Sequence, residues 1–335
     1  MAHIIRVIKK LMNLLFKKIT FSLFLLLTIG TSFAADPYPN KPIRIIVPFA
    51  AGGGGDFLVR AWSEKFSEAL KQPVIIENRG GGNTTVGTEA VARAAPDGYT
   101  LLFVSTSLST NPTLMASLPY KTPEDFSPIS MVVSYPFGLA ARSTLPANNM
   151  GEIIEYAKKN PGKVTIANSG DGSASHLAAL MLEEATGTDM TTIAYRGAGP
   201  AITDVAAGHV DLTFTGMSQI KPFMDNKRVK LIASSGSKRL LSNPDVKTIS
   251  EQGVKDFNSF VWWGLLAPAG TPKEVIDKVH QALKISVTSP DVVKRFNSTD
   301  AEVRLSSPQE FEQFLRDEIV RWKKLLTKKN PTSNP

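Results

Sequence analysis

Short β-branched runs and amphipathic stretches alternate along most of this chain. Residues 43–49, "IRIIVPF", form an apolar run bounded by Pro42 and by glycines. After it, Phe57/Leu58, Ala61/Trp62, Phe66 and Leu70 recur with a period near 3.6, which predicts a helix. "PVIIENR" (73–79) reads as a strand, "GGGNTTVGTEAVARAA" as a turn into a helix, and "YTLLFVS" (99–105) as a strand again. The middle of the chain repeats the scheme. Strands are predicted at 163–169, 190–195, 210–216 and 229–235, with helices from about Ser173 to Thr186, from about Gly199 and from about Gln219. Alternation at this spacing predicts βα units and a mostly parallel sheet covered on both faces.

Two stretches break the alternation. "FSPISMVVSYPFGLAARSTL" (126–145) and "FNSFVWWGLLAPAG" (257–270) are long, β-prone and lack an intervening helix. They bracket the middle βα block, so two lobes joined by two extended crossings are expected. The expected boundaries put residues 35–138 and 258–335 in lobe 1 and 139–257 in lobe 2. Trp262 and Trp263 lie on the second crossing, where neighbours in a strand face opposite sides; one is expected in the core and the other towards the cleft. Two helices close the chain. Each opens with a capping signal, Thr271-Pro272 with Glu274 and Ser307-Pro308 with Glu310. The second carries the stripe Phe311, Leu315, Ile319, Trp322 and Leu326, and the tail from Thr327 is expected to be irregular.

The N-terminus has another character. Arg6, Lys9, Lys10, Lys17 and Lys18 occur without an acid, then "ITFSLFLLLTIGTSF" is free of charge, then small residues Ser32 and Ala34 precede Ala35. This is the pattern of a secretory signal peptide cut after Ala34. An uncleaved anchor is the competing reading, but the uncharged block is roughly 15 residues where a spanning helix needs about 20. Met12 is an alternative start. Removing 34 of 335 residues leaves 301 and takes the formal net charge from +8 to +3. The basic balance is thus largely a property of the leader, and no basic cluster indicates nucleic acid. The chain has no cysteine, which excludes a lipoprotein anchor, a disulfide framework and a thiolate metal site. His176, His209 and His280 are scattered without metal-site spacing.

One device recurs: strand, small-residue turn, helix. It occurs at "PFAAGGGGD" (48–56), "ENRGGGNTT" (77–85), "ANSGDGSAS" (167–175) and "YRGAGPA" (195–201). Helix N-termini present unpaired N–H groups and partial positive charge, and glycine lets an anion come close to them. At the carboxyl ends of strands in an α/β sheet, such turns suit a carboxylate or a phosphate. Nucleotide readings fail in detail. No lysine follows Gly55, so the turn is not an NTPase loop, and Phe57 stands where a dinucleotide fingerprint needs its last glycine. Asp56 has two open readings, a helix-start residue favoured by the dipole or an acceptor for a ligand ammonium or hydroxyl. Ser173 near His176 suggests a nucleophile–base pair, but no acid is set to orient the imidazole and no G-x-S-x-G elbow exists. Arg196 is either a bidentate carboxylate partner or a solvated cation.

Taken together, "YPNKPIRIIVPFAAGGGGD", "QPVIIENRGGGN", "AAPDGYTLLF", "NSGDGSASHLAAL", "YRGAGPAITDVAAGHVDL" and "WWGLLAPAGTP", in this order, resemble the substrate-binding proteins of tripartite tricarboxylate transporters, the Bug family of periplasmic receptors. The resemblance runs from about Tyr38 to Leu326. It implies an α/β, type II periplasmic binding-protein fold: two lobes joined by two hinge strands, closing on a small ligand in the cleft between them. It implies no enzymatic activity and no cofactor. The expected ligand is a small organic acid: a di- or tricarboxylate, an acidic amino acid or an aromatic carboxylate. The expected partners are the membrane permease subunits of the transporter, the receptor itself being a monomer in the periplasm. The candidate ligand-binding residues are Phe49, Ala51, Gly52, Gly53 and Asp56 in the first turn, then Ser105 and Thr106. Ser169, Gly172, Ser173, Arg196, Gly197 and Thr215 supply the second lobe. Two departures from the family pattern stand out. Gly54-Gly55 replaces a frequently bulkier residue, with a wider pocket as the expected effect. Thr215 stands where an Asp-Asn pair is frequent, which leaves the distal specificity open. The alternatives are a ligand sensor partnering a receptor kinase and a secreted serine hydrolase built on Ser173 and His176.

Overall fold

The computed structural model describes residues 1–27 and 38–329. It divides into two compact units, Met1–Asn40 and Lys41–Pro335. The first holds helix α1 (Ala2–Leu27); the predicted cut after Ala34 lies outside the described residues. Among the described residues no helix is long and apolar enough to cross a membrane.

The second unit contains two sheets. Sheet one comprises β1 (Ile43–Val47), β2 (Val74–Asn78), β3 (Thr100–Ser105), β4 (Phe126–Pro136), β10 (Phe260–Pro268) and β11 (Glu302–Val303), in the order β11-β4-β10-β3-β1-β2. Sheet two comprises β5 (Gly138–Arg142), β6 (Thr165–Asn168), β7 (Thr191–Ala194), β8 (Leu212–Thr215) and β9 (Val229–Ser234), in the order β7-β6-β8-β5-β9. The βα units give parallel ladders, β2-β1-β3 and β7-β6-β8. The crossing strands differ from the parallel expectation. β10 runs antiparallel to β3 and β4, and β5 runs antiparallel to β8 and β9. Parallel pairing needs a crossover connection; β5 instead follows β4 of the other sheet directly, and β10 returns from the second lobe through residues 235–259.

Helices α2 (Gly54–Leu70), α3 (Thr85–Ala92) and α4 (Ser107–Leu114) follow β1, β2 and β3. In the second lobe α5 (Met150–Lys159) precedes β6, and α6 (Ala174–Thr186), α7 (Ala198–Ala207) and α8 (Met217–Asp225) follow β6, β7 and β8. Helices α9 (Lys273–Val287), α10 (Pro290–Asn297) and α11 (Pro308–Lys329) complete the first lobe. Helix α11 continues through Thr327–Lys329, where an irregular tail was expected; residues 330–335 lie outside the described residues.

Trp262 and Trp263 face opposite sides of sheet one, and both are buried. Trp262 meets Phe311 and Phe314 edge-on at 5.7 and 5.6 Å. Its indole N–H and that of Trp322 donate to Glu318 at 3.3 and 2.7 Å, which accounts for a buried acid inside an apolar stripe. Burial pushes the Glu318 carboxyl up, against the pull of Arg321 and the two indoles. Beyond Glu318, Trp322, Leu325 and Leu326 pack on Leu177 and Leu180 of α6, so the last helix reaches the second lobe.

The chain changes sheet at Phe137 and again between Ser235 and Phe260. One buried serine ties both passages. Ser235 Oγ accepts from the Phe137 N–H at 2.8 Å and donates to the Ser259 carbonyl at 2.6 Å. Backbone bonds at 2.8 Å from Ser235 to Phe137 and from Ser259 to Ser235 complete the tie.

Candidate ligand-binding cleft

The glycine turns converge at the carboxyl ends of the parallel strands. Gly52 takes φ +78, a left-handed conformation that favours glycine, and Gly53 caps α2 without a side-chain bond. Asp56 braces the turn. Its carboxylate accepts from the Gly52 N–H at 3.0 Å and from Arg60 at 2.8 Å. Burial opposes its ionisation, but the Gly52 N–H and Arg60 outweigh burial and hold the carboxyl below its ordinary value. The helix-start reading of Asp56 therefore describes the contacts it makes. Among the described residues the N–H groups of Gly54, Gly55 and Asp56 meet no acceptor, as a helix start requires.

Gly54 and Gly55 do different things. A Cβ on Gly55 would lie 2.3 Å from Cη2 of Trp263. The indole fills that space, stacked on Phe103 at 5.2 Å and met edge-on by Phe49 at 5.1 Å. Gly55 accordingly admits a protein side chain, and the wider pocket expected there is not formed. Gly54 instead faces the Tyr135 hydroxyl, which would lie 3.7 Å from a Cβ at that position. The neighbouring turn supports the first: a Cβ on Gly80 would touch the Ala50 backbone at 3.3 Å, and Asn78 donates to the Phe49 carbonyl at 3.2 Å.

Ser105 and Thr106 are buried behind these turns. The Ser105 hydroxyl donates to the Trp262 carbonyl at 2.6 Å, and the Thr106 carbonyl holds the first turn of α4. From α4, Thr110 donates to the Gly172 carbonyl at 3.1 Å, a direct bond between the lobes. A Cβ on Gly172 would lie 2.1 Å from Leu114, so the close approach of α4 depends on glycine there.

In the second lobe Ser173 caps α6 by accepting from the His176 N–H at 3.3 Å. Ser175, buried, gathers the turn: its hydroxyl lies 3.0 Å from that of Ser169 and 3.1 Å from that of Ser173. His176 Nδ1 accepts from the Gly172 N–H at 3.0 Å. Burial holds the imidazole below its ordinary value, against Asp171 and Glu183, and keeps it neutral. The nitrogen a nucleophile–base pair would need to be oriented by an acid is thus occupied by backbone. Arg196 is exposed at the next turn, and Gly197, with φ +115, caps α7. Tyr195 donates to Asp204 at 2.6 Å, and burial followed by that carboxylate pushes its phenol up to about 12. Thr215 is buried and donates to Gln219. Gly216, the residue after it, caps α8, which opens at Met217, two residues before the predicted start.

The residue that periodicity did not single out is Tyr135. Its hydroxyl touches the Gly54 position, and its ring edge lies 3.7 Å from a Cβ on Gly216. It therefore stands between the starts of α2 and α8, one from each lobe. Only its place one residue before the crossing proline hinted at this. Among the described residues no group of three His, Asp or Glu side chains is placed to hold a metal.

Residues 58–330 match the family described as the tripartite tricarboxylate transporter family receptor. Protein BugT of Bordetella pertussis is 34% identical over 296 residues, covering 88% of this chain and 91% of that protein. The solved structure of the periplasmic binding protein BugD is 38% identical and superposes with a TM-score of 0.76, covering 87% of this chain and 98% of that one. MatC from Rhodopseudomonas palustris with bound malate is 30% identical, with a TM-score of 0.76 over 86% of this chain and 99% of that one.

Proposed function

The chain belongs to the tripartite tricarboxylate transporter receptor family, whose members are solute-binding proteins and not enzymes, and we propose that it captures a small dicarboxylate of the malate class in the periplasm for such a transporter. The observation that carries the reading is the pairing of unbonded helix starts. The start of α2 in one lobe and that of α8 in the other both lie against Tyr135: a Cβ on Gly54 would meet its hydroxyl and a Cβ on Gly216 its ring edge, each at 3.7 Å. Two such starts suit two carboxylates on one ligand. The turn at Gly52–Gly53 with Phe49 and Ala51 holds the first carboxylate. The Ser169–Ser173 turn, shaped by Gly172, supplies hydroxyl donors, and Arg196, Gly197 and Thr215 line the far end.

The lobes of residues 35–138 with 258–335 and of 139–257 close about the Ser235 tie. The leader is cut after Ala34, and the mature receptor works as a monomer that hands its ligand to the permease subunits. Calorimetric titration of the mature protein with malate, succinate, citrate, glutamate and benzoate tests the ligand class. Saturable binding of a dicarboxylate is expected; no heat from any of the five at millimolar concentration refutes the reading. Intact mass of the exported protein checks the cut, with a chain beginning at Ala35 expected.

A further inference from the structure

The phenol of Tyr135 has an unusual set of neighbours. Tyr135 lies on β4 beside β10, where Val261 pairs with it and Trp263 pairs with Val133. The buried Trp263 indole N–H has no well-formed hydrogen bond, and it faces the Tyr135 hydroxyl. Burial pushes the phenol up, the Trp263 N–H pulling the other way, so the hydroxyl keeps its proton through the physiological range. A donor aimed at the phenol oxygen leaves the phenolic hydrogen free to point elsewhere. Apart from that indole N–H, the Tyr135 hydroxyl meets no hydrogen-bond partner among the described residues. What lies against it is the Gly54 position, where three unpartnered N–H groups begin α2. Its ring edge meets the Gly216 position, where α8 begins.

We propose that Tyr135 is a specificity-determining residue of the cleft: its hydroxyl donates to the ligand carboxylate held at the start of α2, and its ring limits how far that ligand reaches towards the start of α8. The inference rests on the carboxylate reading above. A carboxylate at α2 accepts from a neutral phenol through a charge-assisted bond, which shortens and strengthens it. Phe137 meets the ring edge-on at 6.3 Å, and the Trp263 N–H faces its hydroxyl. A ring so placed makes a stop, so ligand length is set by one side chain on the strand that leads into the crossing.

The test titrates the mature wild-type protein, Tyr135→Phe and Tyr135→Ala with malate, glutarate and adipate, with thermal melts to establish folding. Tyr135→Phe is expected to weaken the preferred diacid about tenfold or more. Tyr135→Ala is expected to move the preference to a longer diacid. Tyr135→Phe that folds and binds all three with wild-type affinity overturns the proposal, whether or not Tyr135→Ala folds. An unchanged order of preference in folded Tyr135→Ala overturns the length limit. A wild-type protein that binds none of the three fails at the carboxylate reading itself, and the proposal falls with it; a binding wild type with indifferent variants isolates the failure to Tyr135.

Discussion

Gly55→Ala puts two effects in opposition. Helix propensity favours alanine over glycine by about 1 kcal/mol in a helix interior, and by less in a first turn. The new Cβ, however, would fall 2.3 and 2.4 Å from two ring carbons of Trp263. Ordinary contact begins more than an ångström further out. The indole has little room to retreat, because Phe103 stacks on it at 5.2 Å and Phe49 meets it at 5.1 Å. Overpacking of this kind costs about 1–3 kcal/mol. The net expectation is a loss of about 1–2 kcal/mol, read as a fall of roughly 2–8 °C in Tm. Because Trp263 backs the α2 start, the Kd for the proposed dicarboxylate should rise by about tenfold as well if that start holds a carboxylate. Scanning calorimetry and titration read the two quantities on one sample. Gly187→Ala is the control: φ is +63 there, nothing lies within 4 Å of the added atom, and the turn is remote from the cleft. It should lose about 1 kcal/mol to left-handed backbone and leave Kd unchanged. A Gly55→Ala protein that melts at or above the wild type with unaltered Kd would refute the claim that Trp263 occupies the space behind the turn.

Three other outcomes follow from the same contacts. Ser235→Ala leaves the Phe137 N–H and one bond of the Ser259 carbonyl unmet in a buried place, and should cost about 1–3 kcal/mol in a denaturant melt; an unchanged midpoint would remove the hinge tie. His176 is held below its ordinary value, so the unfolded chain takes up this proton first. Stability should therefore decline as pH falls through about 6.5 towards the folded value, and His176→Gln should flatten that part of the profile; parallel profiles would sink the assignment. Asp56 is held below its ordinary value, so its contribution is present above about pH 3.8 and lost as pH falls through the folded value. Asp56→Asn should cost about 1–2 kcal/mol at neutral pH, mostly through the Gly52 bond, since Arg60 is half exposed and its pair is worth little. A melt unchanged at pH 7 would contradict it.

The βα units were legible because their strands are apolar runs between turn residues, and the hinge because residues 126–145 and 257–270 lack a helix. Local pattern missed α4, whose buried residues are polar apart from Leu108: Ser107, Ser109, Thr110 and Asn111. It also missed β11, two residues that are a strand only because β4 lies beside them. At the site, the turn residues were legible from glycine and serine spacing, as caps and close approaches demand those types. The reason for each glycine was not. Gly55, Gly172 and Gly264 make room for Trp263, Leu114 and Phe311, partners 208, 58 and 47 positions away in the chain. Tyr135 was hidden for the same reason: its role comes from two turns of opposite lobes meeting one ring.

The place of β10 in sheet one bears on the order in which the two lobes can form. This strand lies between β3 and β4, and it is made after the whole of the second lobe. The parallel ladder of β1, β2 and β3 is complete early in synthesis, yet it has no fourth strand until residues 260–268 emerge. The second lobe can form from one continuous stretch; the first must wait for both ends of the sequence. Such long-range closure is slow. A sheet left open at its middle until residues 260–268 are made makes the first lobe the later of the two to close.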